Sequence, residues 1–300
     1  MTIVDTAKLE LSNLRWFARY ALYPYSWIVV IAFYTAALCG YISLAAAPSY
    51  LGIVLILTYL IAEQIIPYEK RWAMTWNMLF ADIFWLIATG AFTAVVGAGL
   101  AYLTITAAGQ SNGFASHWPF ALQLLVCVLI YDGINYSIHR SMHEWPGKLG
   151  PFLWRVHAAH HLPPSVHVLM HAVFHPLNIL VNSIFAIALP IWLMGYDQEV
   201  VTLFFLINSM HGLISHFNVD VRSGFLNYFF VGTELHRYHH SANVDEAKNY
   251  CTIVPWFDLM FGTFVYRPGQ PPANLGVGAD AGLPRYGQVL EVLKLPFIRR

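Results

Sequence analysis

The sequence predicts an all-α protein: polytopic membrane helices in two to three helical hairpins, with a cytosolic helical cap that holds a histidine-rich di-metal site. Three observations predict it. Charged residues make up only 11% of the 300 and hydrophobic residues 58%, whereas roughly a quarter of a soluble domain is charged; mean hydropathy is +0.54. The apolar residues gather into five or six runs of bilayer-spanning length, which takes about 20 residues per helix. Finally, 13 of the 14 histidines lie between His139 and His240.

Residues 1–25 read as an interfacial segment, with Leu11, Leu14, Trp16 and Phe17 beside Arg15 and Arg19 as in a helix lying along a membrane. Asp5 and Glu10 stand among the basic residues with no early apolar run, so no cleaved signal peptide is expected and the first apolar segment should stay as an anchor. Residues 26–138 carry the transmembrane helices that lead into the first histidine box: Ser26 to Ala47, Tyr50 to Ile66, Met78 to Thr106 and Pro119 to Ile138. The first two form a hairpin expected to close at Pro48-Ser49. Residues 139–268 form the histidine-box region, including a membrane hairpin at about 173–214 made of Val173 to Met194 and Val200 to Ile214. Its second arm is short and carries Asn208 and His211, so it is expected to tilt or insert only partly. From 269 to 300 a Pro- and Gly-rich tail runs over the cap and ends in a short apolar helix near Val289 to Leu293.

Net charge is zero, but its distribution is informative. With the N-terminus inside, Lys8, Arg15, Arg19, Lys70, Arg71, Arg140, Lys148, Arg155, Arg222, Arg237, Lys248 and the five C-terminal basic residues all fall on the cytoplasmic side, while the loops at Gly109 to His117 and Tyr196 to Glu199 have none. The histidine boxes and the C-terminus share that side. Tyr23, Tyr25, Trp27, Tyr68, Trp72, Trp76, Trp145 and Trp154 gather at the expected helix ends, where amphipathic rings meet the interface. Cys39, Cys127 and Cys251 are too scattered for a disulfide framework or a CxxC site, and nothing points to nucleic acid.

Three boxes carry the chemistry: His139-Arg-Ser-Met-His143, His157-Ala-Ala-His160-His161 and His236-Arg-Tyr-His239-His240. Helical residues three and four apart share a face, so each box aims two or three imidazoles at one point. Eight imidazoles exceed the three or four of one zinc site and suit two metals. His211 and His216, near the end of the last apolar run, are candidates to complete the set, whereas His167, His171 and His175 read equally as core histidines. If the fourth span continues as a helix, Asp132, Tyr136, His139 and His143 form one stripe, and Asp132 is a candidate to accept a ring N–H from a ligating histidine. Histidine ligands alone are compatible with iron, zinc, copper or nickel. The zinc-protease motif HExxH is excluded, because Arg140 follows His139 and neither HxxHH box contains an acid.

The order HRxxH, HxxHH, HxxHH, interleaved with membrane hairpins, resembles the sterol desaturase and fatty acid hydroxylase superfamily. Asp132-Gly-Ile-Asn-Tyr136 before the first box, Glu63 to Tyr68 after the early hairpin, Asn249-Tyr250, and Trp256 to Phe264 resemble further family elements, so the likeness covers roughly residues 60 to 268. One departure is Asn178, where many members carry an acid. The resemblance implies a non-haem centre of two iron ions that uses O2 as co-substrate to hydroxylate or desaturate a lipid C–H bond, with zinc able to substitute in purified protein. It implies supporting or cap-structuring roles for Asn249 and Asp258 and no catalytic side chain beyond the metal centre. The chain has no redox module of its own, so a separate electron donor is expected, a ferredoxin or cytochrome b-type protein with its reductase. Arg140, Lys148, Arg155, Arg237 and Lys248 would offer such a carrier a basic face, which the positive-inside pattern already accounts for. The alternative from another class is a zinc-loaded membrane hydrolase or a non-redox metal-binding membrane protein.

Overall fold

The computed structural model describes residues 3–107, 113–277 and 281–298. Gly109 to Asn112 of the expected loop, the side chains of Asp5 and Lys8, and Arg299 and Arg300 lie outside the described residues. The regular elements among them are all helical, with one isolated bridge between Ser241 and Leu275.

The first helix, α1, runs from Ile3 to Leu38 straight through Pro24. The expected surface segment and first span are therefore one helix, without a break at residue 25. Pro24 has no N–H to give the Tyr20 carbonyl, a loss that membrane helices tolerate. The chain reverses over Cys39 to Ala46, and α2 spans Ala47–Ile65. Pro48 thus opens the second helix instead of closing the hairpin, since the first helical turn has no use for its missing N–H. α3 covers Trp76–Ala107, and α4 covers Phe120–Glu144, continuing past Ile138 so that the first histidine box rides on a membrane helix.

Beyond α4 the chain forms α5 (Gly150–His161), a 3-10 turn (Val168–Ala172), and an apolar run made of α6 (Pro176–Val181), a π-helical stretch (Asn182–Ala188) and α7 (Leu189–Met194). α8 (Gln198–Ser215), α9 (Thr233–His239), α10 (Trp256–Phe261) and α11 (Val289–Lys294) complete it. Among the described residues, five helices are long and apolar enough to cross a bilayer: Glu10–Leu38, Ala47–Ile65, Met78–Leu100, Phe120–Glu144 and Pro176–Met194. Their outer faces display Ile28, Ile31, Leu57, Ile61, Phe80 and Ile87, with Phe80 72% exposed, an apolar surface that a soluble monomer avoids and acyl chains cover.

The short α8 is surrounded by protein instead. It packs against α1, α2 and α4, and Phe204, Met210 and Ile214 share one core with Leu51, Leu55 and Tyr59 of α2. Tyr59 stacks on Phe217 with ring centroids 4.4 Å apart and hydrogen-bonds Ser26 at 2.5 Å, joining α1, α2 and the segment that follows α8. The cap has its own core of Trp72, Trp85, Met170, Tyr286 and Val292, which draws the C-terminal tail back onto α3. Two buried acids fasten cap to membrane helices. Glu63 accepts the backbone N–H groups of Val168 and Asn218 at 2.9 and 2.8 Å, and Asp82 in α3 meets His167 Nε2 at 2.7 Å.

Candidate metal centre

The three boxes converge. α4 presents His139 and His143, α5 presents His157, His160 and His161, and α9 with its C-cap presents His236, His239 and His240. They sort into two groups whose ligand atoms all lie within 4.8 Å of one another: His139, His143, His157, His161 and His239 in one, and His160, His216, His236 and His240 in the other. Each HxxHH box divides between the groups, because consecutive helical residues point about 100° apart. The groups abut, with the His161 and His240 rings 4.6 Å apart and those of His236 and His239 5.1 Å apart.

The hydrogen bonds fix the tautomers. Nδ1 of His139 faces the Tyr250 carbonyl at 2.8 Å, His160 that of Val173 at 3.2 Å, His216 that of Gly212 at 2.8 Å and His239 that of Lys248 at 3.0 Å, while Nδ1 of His157 faces Asn178 Oδ1 at 2.7 Å. A carbonyl oxygen only accepts, so each of these Nδ1 atoms carries the proton and each Nε2 bears a lone pair. Yet Nε2 of His139 lies 3.0 Å from Nε2 of His157, and Nε2 of His160 lies 3.0 Å from that of His216. Two lone pairs at that distance repel unless a cation sits between them. Adding a proton is no remedy, since burial first and then the neighbouring imidazoles hold His157, His160 and His216 well below the usual histidine pKa. Nε2 of His239 and of His143 is buried with no hydrogen-bond partner among the described residues. The donor set therefore fits two histidine-bound metals.

His211 stands apart. Its Nδ1 donates to the Val231 carbonyl at 2.6 Å, and its ring lies among Tyr23, Trp27 and Phe230. Asp132 touches no imidazole either. Its carboxylate accepts the backbone N–H groups of Thr252, Ile253 and Val254 at 2.6 to 3.1 Å. Asp258 accepts those of Tyr250 and Cys251, at 2.8 and 2.9 Å, and burial raises its pKa above the ordinary carboxylate value. Asn249, in the left-handed region at φ 62°, donates to the Leu235 and Val265 carbonyls and accepts from Val265 N–H. All three hold the segment from Lys248 to Val254, whose carbonyls orient His139 and His239. Side-chain patterns do not reveal these carbonyls, nor Val173 and Gly212. Asn178 keeps a place beside His157 with an amide in place of an acid. Sequence spacing passed over Asp82, although its place as an ionisable residue within an apolar span would have flagged it.

Among the remaining histidines, His167 is held between Asp82 and Ser165, and His175 caps α6 through Leu177 N–H. His171 lines the cavity below the second group, its ring 5.1 Å from that of His216. That cavity measures about 410 Å³ and lies between α3, α4, the π-helical stretch and α8, with His139, His157, His160, His216 and His236 on its wall. The basic face is largely engaged internally: Arg140 and Lys248 both pair with Glu144, Arg237 is buried against the Phe217 and Val219 carbonyls, and Arg155 donates to that of Ile298.

The fatty acid hydroxylase family model matches residues 124–263, a stretch holding all nine grouped histidines. The ornithine lipid hydroxylase OlsE of Rhizobium tropici is 30% identical over 227 residues, 72% of this chain and 66% of that protein. The very-long-chain aldehyde decarbonylase GL1-10 of Oryza sativa subsp. japonica is 26% identical over 169 residues, 55% of this chain and 54% of that protein. The chain thus spans just under two thirds of the first relative and about half of the second. No solved structure matches.

Proposed function

We propose a lipid oxygenase on the premise that this chain belongs to the fatty acid hydroxylase family, within the sterol desaturase and fatty acid hydroxylase superfamily. It is a multi-pass membrane oxidoreductase that hydroxylates or desaturates a lipid C–H bond, with two irons as cofactor and O2 as co-substrate. One observation carries this reading: two adjoining imidazole groups open onto a cavity enclosed by membrane helices. A bilayer-dissolved chain can reach that cavity without crossing water.

Two bound irons would supply oxidation of an unactivated C–H bond by O2. In hydroxylation one oxygen atom enters the bond and the other leaves as water, taking up two protons and two electrons; desaturation begins with the same hydrogen abstraction. The protein's part is binding and orientation. Asn178 and the Tyr250, Lys248, Val173 and Gly212 carbonyls hold the rings with Nε2 inward. Leu86, Phe174, Ile179 and Ile187 give the cavity an apolar stretch of wall for a hydrocarbon chain. Five nitrogens in one group exceed the four of a tetrahedral zinc site, which favours iron; zinc occupies such sites in purified protein because it binds imidazole more tightly than ferrous iron. The electrons come from a separate ferredoxin or cytochrome b-type carrier with its reductase, on the cytoplasmic side, a reading that the positive loop charge supports.

The test is iron-loaded protein in lipid nanodiscs, supplied with a reductant and ¹⁸O-labelled O2 and read by lipid mass spectrometry. Label in a lipid, or loss of two hydrogens that requires O2, is expected. Oxygen-independent turnover or no lipid change would overturn the reading in favour of a zinc hydrolase or a non-redox metal protein.

A further inference from the structure

Beside the cavity that the imidazoles face lies a second space, a groove of about 490 Å³ in the angle of α4, α5 and α6. Phe152, Leu153 and Val156 of α5 and Leu177 and Val181 of α6 form its sides, and α4 supplies Ser137, Ile138, Ser141 and Met142. This wall asks for no hydrogen bond. Ser137 Oγ donates to the Gly133 carbonyl at 2.8 Å and Ser141 Oγ to the Ser137 carbonyl at 2.6 Å, so both hydroxyls are spent on their own helix. A hydrocarbon chain laid there buries no unpaired polar side chain. The depth suits the same occupant. The groove runs along the closing turns of α4 and the opening turns of the apolar run from Pro176, both long and apolar enough to cross a bilayer.

The groove and the cavity share a wall. On α6, Leu177 and Val181 line the groove, and Asn178 and Asn182, one position further on, line the cavity. On α5, Val156 lines the groove and His157 the cavity. On α4, Ser137 and Ser141 line the groove, His139 lines the cavity, and Ile138 and Met142 line both. Consecutive helical residues point about 100° apart, so all three helices turn from one space to the other within a single residue step. Ile138 and Met142, four apart on one face of α4, are the side chains that the two spaces have in common. Isoleucine is stiff at its branched Cβ, whereas methionine is unbranched with three rotatable bonds. Met142 is therefore the member of the pair that can swing aside without moving its helix.

We propose that this groove binds a hydrocarbon chain of a bilayer lipid and is the lateral port through which the chain passes into the cavity, with Met142 as the gate. The proposal deepens the oxygenase reading and rests on the cavity being the lipid site.

The experiment gives full-length, metal-loaded protein in nanodiscs 1-hexadecanol carrying a terminal diazirine. Samples are illuminated at increasing times after addition, and labelled residues are mapped by peptide mass spectrometry in the wild type, Leu177→Trp, Val181→Trp and Met142→Ala. In the wild type, label on Leu153 or Val156 of the groove should precede label on Leu86 or Ile187 of the cavity. Filling the groove with an indole should abolish the cavity label, and Met142→Ala should hasten it. Label on Ile61 and Phe80 of the outer surface, the control for folding and insertion, should stay unchanged throughout. Cavity label arriving at the wild-type rate in both tryptophan variants, or without groove label in the wild type, would overturn the port and leave the oxygenase reading standing. An unchanged rate in Met142→Ala would overturn the gate. A wild type with no cavity label would overturn the port together with the cavity as the lipid site. Because labelling needs no turnover, port-dependent label in a protein that oxidises no lipid would sink the oxygenase reading alone.

Discussion

Nε2 of His160 and Nε2 of His216 lie 3.0 Å apart although the rings come from α5 and the end of α8, and each ring gives its Nδ1 proton to a backbone carbonyl. The contact is repulsive unless a cation lies between the nitrogens. A cation there would sit in a group built from three separate stretches of chain, and one between His139 and His157 would sit in the other.

Each group should load independently of the other. His216→Ala is expected to lower bound metal from about two per chain to about one, and His143→Ala to do the same through the other group, while both variants still insert in the membrane. Elemental analysis of the purified variants checks this; two metals retained in either would remove that histidine from its group.

Asn178 orients His157 from outside the group. Asn178→Leu leaves a buried Nδ1–H without an acceptor, and loss of such a partner weakens metal affinity by about 10- to 100-fold. Asn178→Asp restores the acceptor and should recover binding. Competition against a metal-sensing dye gives both numbers.

Metal-free protein should be acid-labile. Burial pushes His236 down to about 3, and the folded state therefore holds a neutral ring where the unfolded chain takes up a proton below about 6.5. Its folded-state pKa is depressed, so the stability at stake is fully present above the unfolded value and is lost as pH falls from about 6.5 toward 3, at up to about 1.4 kcal/mol per pH unit. Melting of chelated protein between pH 7.5 and 5 measures it. A flat profile would contradict the buried, neutral ring, and bound metal should move the fall to lower pH only by mass action.

The segment from Lys248 to Val254 should behave as a unit. Asp132→Ala strands three backbone N–H groups and is expected to cost about 3 kcal/mol or more. Asn249→Gly keeps the left-handed backbone but loses the amide, whereas Asn249→Ala loses both; the difference between them, about 1–2 kcal/mol, is the conformational cost. Denaturation in mild detergent compares the three, and metal content should fall with stability because the Tyr250 carbonyl moves with the segment.

The boxes were legible because helical spacing collects imidazoles on one face. Their division between two groups was not, since spacing gives a face and not its target. His211 and His216 looked equivalent near one helix end, but five residues rotate a helix by about 140° relative to the start of a full turn, so only one faces the centre. Asp132 was recognisable as a buried acid near the first box, but its partners are backbone N–H groups, which leave no mark in sequence. The surface helix and the first span merged because Pro24 is the only break signal there, and a membrane helix absorbs it. The low charge and long apolar runs indicated the membrane architecture directly.

Adjacent residues serve different groups: His160 and His161 on α5, and His239 and His240 on α9. Adjacent Cα atoms stay about 3.8 Å apart whatever the surroundings do. The offset between the two imidazole groups is thus tied twice by covalent bonds, and only secondarily by helix packing. Bilayers differ in thickness and membrane helices tilt to match them. The protein can follow such changes with its anchor while the spacing of the two imidazole groups stays put, which makes the site's geometry portable between membranes.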